Sequence, residues 1–320
     1  MSALCIVLWV VGGVLGLLTV GVLFSARTMV RPGRQKLWTD PMRAAQIPFE
    51  SVTFPASDGL QLKGWFLPVP GVRSAPTLIV IPGWLWSRLG NAQDNLLNDF
   101  PGGKRVELMP LAAAFHKAGY HVLMFDVRGF GESERRAVYT AGWLEHRDLL
   151  GALDYLGTRA EVDQARIGAI GFSNGGNCIV FGLAHTDRLA GAIAVQPTAL
   201  SLFMRNYTRP YGPIGRVLAW GTELVYRLAG GPALRHIDPV QALRGAAPTP
   251  MLYVEGTGDR WGSVAYVEAM VAATPVATGL YPETAHRFDG YNHMVKHPEI
   301  ALAFFERHVK GAGPMPESNP

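Results

Sequence analysis

The distribution of apolar and polar positions divides the chain into three parts. Ala3 to Phe24 is an uncharged, almost wholly apolar run, long enough as one helix to cross a hydrocarbon core of ~30 Å. Residues 27–46 are polar and contain two prolines, which suits a linker. From Ile47 onward, short apolar runs alternate with helical periods. ESVTFPASDGLQLKGWFLPV reads as two strands joined by a turn at Ser57-Asp58-Gly59. TLIVIPG, HVLMFDVRG, RIGAIGFS, GAIAVQP and PMLYVEGTGD read as strands buried on both faces. Between several of them, LMPLAAAFHKAGY, WLEHRDLLGALDYLGTR and SVAYVEAMVAAT repeat at helical spacing, as does PEIALAFFERHV near the end. This alternation predicts a mainly parallel sheet flanked by helices, with its ligand site beyond the carboxyl ends of the strands.

One interval breaks the rhythm. About fifty residues, from Ala199 to Ala247, separate two strand signals and are rich in aromatics and proline. An insertion of this length after a strand predicts a small helical lid. Val217, Trp220, Leu224 and Leu228 recur there at helical spacing, and packing of the lid on the body accounts for any one of them. The predicted organisation is an anchor at 1–26, a linker at 27–46, a large α/β domain at 47–313 with its lid at about 199–247, and a flexible tail at 314–320.

The charge balance narrows the classes of function. A formal net charge of +4 is small for 320 residues, and the basic residues form no stripe with interleaved aromatics, so nucleic acid is not an expected partner. Cys5 and Cys178 are too far apart in sequence to suggest a disulfide framework or a metal site. No cofactor or metal is expected. Arg27, Arg31, Arg34 and Lys36 follow the apolar run, which predicts a single-pass anchor in the bilayer through residues 3–24, with the large domain in the cytoplasm. A cleavable signal peptide is the alternative, with FSA at Phe24 to Ala26 as its processing site. Such a peptide carries a basic amino-terminal region and an apolar stretch of only about 7 to 15 residues, and this run has neither feature.

The candidate chemistry is concentrated in GFSNGG, Gly171 to Gly176. A strand running into a glycine-flanked serine and then into a helix is the context of a nucleophile elbow. Glycine is needed at 171 and 175 because side chains there would collide with neighbouring backbone. The helix behind Ser173 points its amino end at the reaction centre, and Asn174 supplies an N–H for a developing oxyanion. A glycine-rich turn with a capping serine is the plainer alternative.

DGLQLKGWFLP, LIVIPGW, DVRGFGES and GFSNGG occur in an order and at a spacing that resemble an α/β-hydrolase, from about Ile47 to Gly311. The branch they look like is that of serine esterases and serine aminopeptidases. The resemblance implies a serine, acid, histidine order along the chain. It places the acid at Asp259, in YVEGTGDRW, rather than at Glu255, which falls too early, and the base at His286, in GLYPETAH, with His293 as the rival. It also places the second oxyanion donor at Trp84, with Leu85 next. Pro82-Gly83 stands where the family often has His-Gly. Asp126, in DVRGFGES, precedes the serine and is expected to be structural. The implied activity is acyl transfer to water from a small or lipid-like ester or thioester. The alternatives are a peptidase or an acyltransferase with the same triad, and an idle hydrolase-like binding protein.

Overall fold

The computed structural model describes residues 2–95 and 100–311. The expected tail at 314–320, and Leu96 to Asp99, lie outside the described residues.

The elements follow in chain order. Helices α1 (Ala3–Val30) and α2 (Pro41–Ala45) precede a hairpin of β1 (Glu50–Pro55) and β2 (Gln61–Leu67). Next come β3 (Ala75–Ile81), a short pair β4 (Gly90–Asn91) and β5 (Val106–Glu107), α3 (Met109–Lys117) and β6 (His121–Phe125). The middle of the chain forms α4 (His146–Gly157), β7 (Val162–Phe172), α5 (Asn174–Gly182) and β8 (Gly191–Val195). The lid consists mainly of α6 (Leu200–Thr208), α7 (Gly212–Leu228) and α8 (Pro239–Ala242). The chain closes with β9 (Met251–Val254), α9 (Val264–Ala273), β10 (Ala277–Leu280), α10 (Arg287–Lys296) and α11 (Pro298–Phe305).

Eight strands form one sheet in the order β1-β2-β6-β3-β7-β8-β9-β10. β1 and β2 pair antiparallel, β2 pairs antiparallel with β6, and the remaining neighbours are parallel. The α/β-hydrolase fold expected from the sequence is therefore present. Every residue of β3, β6, β8 and β9 is buried, because helices cover both faces of the sheet and a separate apolar cluster fills each side. The hydrocarbon side chains of these runs leave water on folding, each stabilising the fold by about 1.5–3 kcal/mol when fully buried.

The register fixes where chemistry can collect. Ile81 pairs with Gly171, Phe172 with Val195, Val195 with Val254, and Val254 with Leu280. The carboxyl ends of five strands thus form one rim, and the segments leaving them carry Trp84, Ser173, Gln196, Asp259 and His286. The order of connection reverses around β3, with β6 on one side and β7 on the other, which opens the crevice where such sheets bind ligands.

Helix α1 runs six residues beyond Phe24. Its early turns stand clear of the body, with open space around Gly12 and Gly16, whereas Ala26 and Met29 are buried and the Met29 carbonyl accepts a hydrogen bond from the Tyr139 N–H at 2.9 Å. The expected linker lies against the domain: Gln35 is buried and donates to Asn91 at 2.8 Å.

Candidate active site

Ser173 sits between β7 and α5 with φ 51° and ψ −108°. That conformation is costly for a residue with a Cβ, on the order of 1–3 kcal/mol, and persists only where the surroundings enforce it. Here they do. A Cβ at Gly171 would fall on the Gly175 carbonyl, and one at Gly175 would fall on the Ile81 carbonyl. The Ser173 N–H donates to the Val195 carbonyl at 2.8 Å, pinning the turn to the next strand. The result is a hydroxyl raised above the rim at the amino end of α5.

Asn174 follows Ser173 directly, and Trp84 lines the same cavity as its hydroxyl. Asn174 is the first residue of α5, where backbone N–H groups have no intrahelical acceptor. The Trp84 N–H likewise has no acceptor among the described residues. The Trp84 ring stacks on Tyr139 at 5.1 Å and also meets Phe100 and Phe203. Leu85 has φ 69°, so the backbone turns sharply just after the expected donor.

The carboxylate side of the site holds the main departure from expectation. The Asp259 side chain is fully buried; one oxygen accepts from the Trp261 N–H at 2.8 Å and the other is ion-paired with Arg287. The Arg287 guanidinium also donates to the Gln196 carbonyl, to the Tyr291 hydroxyl at 2.6 Å and to Ser173 Oγ at 3.4 Å. The link between nucleophile and acid is therefore an arginine. A guanidinium has five donors and no acceptor, and it keeps its proton in proteins, so it cannot act as the base for Ser173. Burial pushes the Tyr291 phenol up to about 12, so it too is uncharged at neutral pH. Glu255 lies fully buried beside this pair, and burial together with the Asp259 charge holds its carboxyl well above the usual range.

His286 is the adjacent residue. It caps α10, with Nδ1 accepting from the Phe288 N–H at 3.2 Å, and its ring lies edge-on to Trp261 at 5.0 Å and against Phe288 at 5.7 Å. No hydrogen bond joins it to Ser173 or Asp259 among the described residues. Burial first, and then the Lys104 charge, lower its pKa. With Nδ1 accepting, the neutral ring carries its proton on Nε2, opposite to the tautomer a base needs when its Nδ1–H faces a carboxylate. His293 stands beside His297 at 4.7 Å and is not hydrogen-bonded to the serine or the acid. Helical spacing explains the choice: Arg287, Gly290, Tyr291 and Met294 are the inward face of α10.

The arginine carries no signal of its role in AHRFDGYN, because only the packing of α10 shows that its position faces inward, where a charge must find a carboxylate. Asp126, by contrast, is buried and accepts from the Arg88 guanidinium at 2.6 Å and from the Arg88 and Glu132 backbone N–H groups. It braces two loops away from Ser173.

An aromatic roof closes the site. Trp84, Phe100, Phe203, Trp261 and Phe288 surround Ser173 and Arg287, leaving a cavity of about 30 Å³. That volume holds little more than a water molecule.

The prolyl oligopeptidase family profile matches residues 108–312, which carry Ser173, Asp259 and both candidate histidines. The chain belongs to the prolyl oligopeptidase family. This family is one of serine hydrolases, and the match agrees with the α/β-hydrolase architecture. Among curated relatives, the uncharacterized protein YfhR of Salmonella typhimurium is 33% identical over 216 residues, covering 66% of this chain and 64% of YfhR. The chain thus spans just under two thirds of that relative's length. The polyketide transferase GrgF of Penicillium is 30% identical over 159 residues, covering 49% of this chain and 47% of GrgF. Among solved structures, an esterase of Pyrococcus furiosus superposes with a TM-score of 0.68 at 21% identity, covering 88% of this chain and 98% of the esterase. The acylaminoacyl peptidase of Pyrococcus horikoshii superposes at 0.61 with 18% identity, covering 86% of this chain and 44% of the peptidase. At these identities the superpositions speak for the fold alone.

Proposed function

We propose that this chain is a membrane-anchored serine hydrolase that cleaves a carboxylic ester or thioester through an acyl-enzyme on Ser173. The observation that carries the reading is the enforced backbone of Ser173 beside two N–H groups with no acceptor of their own, those of Asn174 and Trp84. A site of this kind stabilises an oxyanion, and losing one donor typically costs about 10²- to 10³-fold in rate. Ester chemistry is favoured over peptide chemistry by the aromatic roof, whose charged neighbour Arg287 is already paired with Asp259 and so is not free to hold a peptide terminus. The names of the similar proteins span esterase, peptidase and transferase, so peptide cleavage and acyl transfer to an alcohol are the neighbouring possibilities.

In this reading the closed structure is a resting state, with Arg287 in the place the base must take. Rotation of the backbone at Ala285–Arg287 brings His286 inward and releases Arg287. Ser173 Oγ then gives its proton to His286 Nε2 as it attacks the carbonyl carbon, and Asp259 accepts from Nδ1–H. The alkoxide or thiolate leaves with the proton from the imidazolium. Water, deprotonated by the same ring, then frees the acid. Helix α1 is the anchor, with the basic residues from Arg27 to Lys36 holding the domain on the cytoplasmic side.

Arg287 favours a second reading, a scaffold whose serine is idle and whose pocket only binds. Fluorophosphonate labelling separates the two, with turnover of nitrophenyl esters and aminoacyl anilides measured alongside. Hydrolysis predicts labelling of the wild type that is lost in Ser173→Ala and His286→Ala, kept in His293→Ala and raised in Arg287→Gln. Absence of labelling in both the wild type and Arg287→Gln establishes the idle scaffold.

A further inference from the structure

A second cavity, of about 490 Å³, lies between α6 and α7, away from Ser173. Arg205, Arg209 and Arg216 line it together with Met204, Trp220 and Glu223. Among the described residues, none of the three arginines has an ion pair or a side-chain hydrogen bond. Glu223 is already engaged, accepting from the Leu234 N–H at 3.2 Å. The cavity therefore presents three uncommitted guanidinium groups against one occupied carboxylate, beside an indole and a thioether. Guanidinium forks match phosphate oxygens, and the apolar side of the cavity matches the glycerol and first methylenes of a lipid.

The surroundings of α7 identify the source of the phosphate. Ile214, Val217, Leu224 and Leu228 form one arc of the helix, exposed at 54%, 48%, 40% and 81%. One edge of that arc meets the anchor: a Cβ at Gly21 would lie 3.2 Å from Leu218, and one at Gly221 would lie 2.7 Å from Val22. The other edge leads through Trp220, 69% exposed, to Arg216 and the cavity. Helix α1 rises about 27 Å from Ala3 to Gly21 at 1.5 Å per residue, close to the ~30 Å hydrocarbon core. The contact with α7 thus falls at the boundary of the hydrocarbon. Apolar arc toward the acyl chains, tryptophan beside it and arginines above it is the layering of a helix lying in the bilayer interface.

We propose that the α6–α7 cavity binds the phosphate of an anionic bilayer phospholipid, holding the lid helix on the membrane beside the anchor. The site rests on α1 being a membrane span, not on the hydrolase reading, and Ser173→Ala protein binds lipid as the wild type does. The test is native mass spectrometry of the full chain released from detergent, titrated with dioleoylphosphatidylglycerol, with dioleoylphosphatidylcholine or with inorganic phosphate. One phosphatidylglycerol adduct forms in preference to phosphatidylcholine. The combined variant Arg205→Gln, Arg209→Gln, Arg216→Gln weakens it on the order of a hundredfold, at roughly fivefold for each basic residue near an anionic surface. Equal binding of both lipids, or an unchanged adduct in the triple variant, overturns the proposal, and inorganic phosphate binding as tightly as the lipid overturns the lipid assignment. Carbonate extraction of the same variants reports on the anchor alone, so failure of the cavity and failure of the membrane reading are told apart.

Discussion

The nucleophile elbow and the loop before α10 lie on the same rim, yet they are built on different principles. At the elbow every backbone atom is determined by close approach: two glycines pack against carbonyls, and the serine N–H is tied to the next strand. At the loop, two adjacent side chains compete for one place. Arg287 holds it by bonding to Asp259, Gln196, Tyr291 and Ser173, while His286 waits at the helix cap. Steric enforcement leaves one conformation at the elbow, whereas the proposed mechanism requires the loop to reach a second by rotation of a few backbone bonds. In that reading the serine is held ready and the proton acceptor is the part open to control.

The contrast can be tested by attacking each side in turn. The largest effect is expected from Ser173→Ala, which lowers ester turnover on the order of 10⁶-fold; a residual rate near wild type would move the chemistry elsewhere. Next is Arg287→Gln, which leaves Asp259 buried without its partner. Breaking such a pair costs about 3–5 kcal/mol, to be read by urea denaturation at a temperature where the variant folds. A loss near zero would show that the guanidinium is only lightly held and that the two conformations are nearly balanced. Gly175→Ala attacks the enforced side, and its Cβ has no route past the Ile81 carbonyl. Overpacking of this kind typically costs about 1–3 kcal/mol, with labelling of Ser173 lost in parallel.

The smallest effect is on the pH profile. Burial holds the His286 pKa below its ordinary value, and a base must be neutral to accept a proton. The kcat/KM is therefore expected to fall as pH drops through a value below about 6.5 and to be level above neutrality. A limb above pH 7 would mean that another group accepts the serine proton.

The strand runs, the opening hairpin, the elbow and the lid could all be read along the chain, because each depends on local periodicity or on glycine geometry. The pairing of Asp259 with Arg287 could not. It depends on which face of α10 turns inward, and the single step between His286 and Arg287 decides whether a base or a permanent cation enters the site. The docking of α1 was hidden for a related reason: an apolar run long enough to span a bilayer gives no sign that Ala26 and Met29, at its polar-looking end, are buried in the body.

That docking makes α1 a stalk rather than a tether. In the proposed membrane reading, with the last turns of α1 fixed to the domain, the protein would not tumble freely above the lipid. Its crevice would be offered to molecules at one depth, and the anchor would select substrates by how far their scissile bond rises from the hydrocarbon.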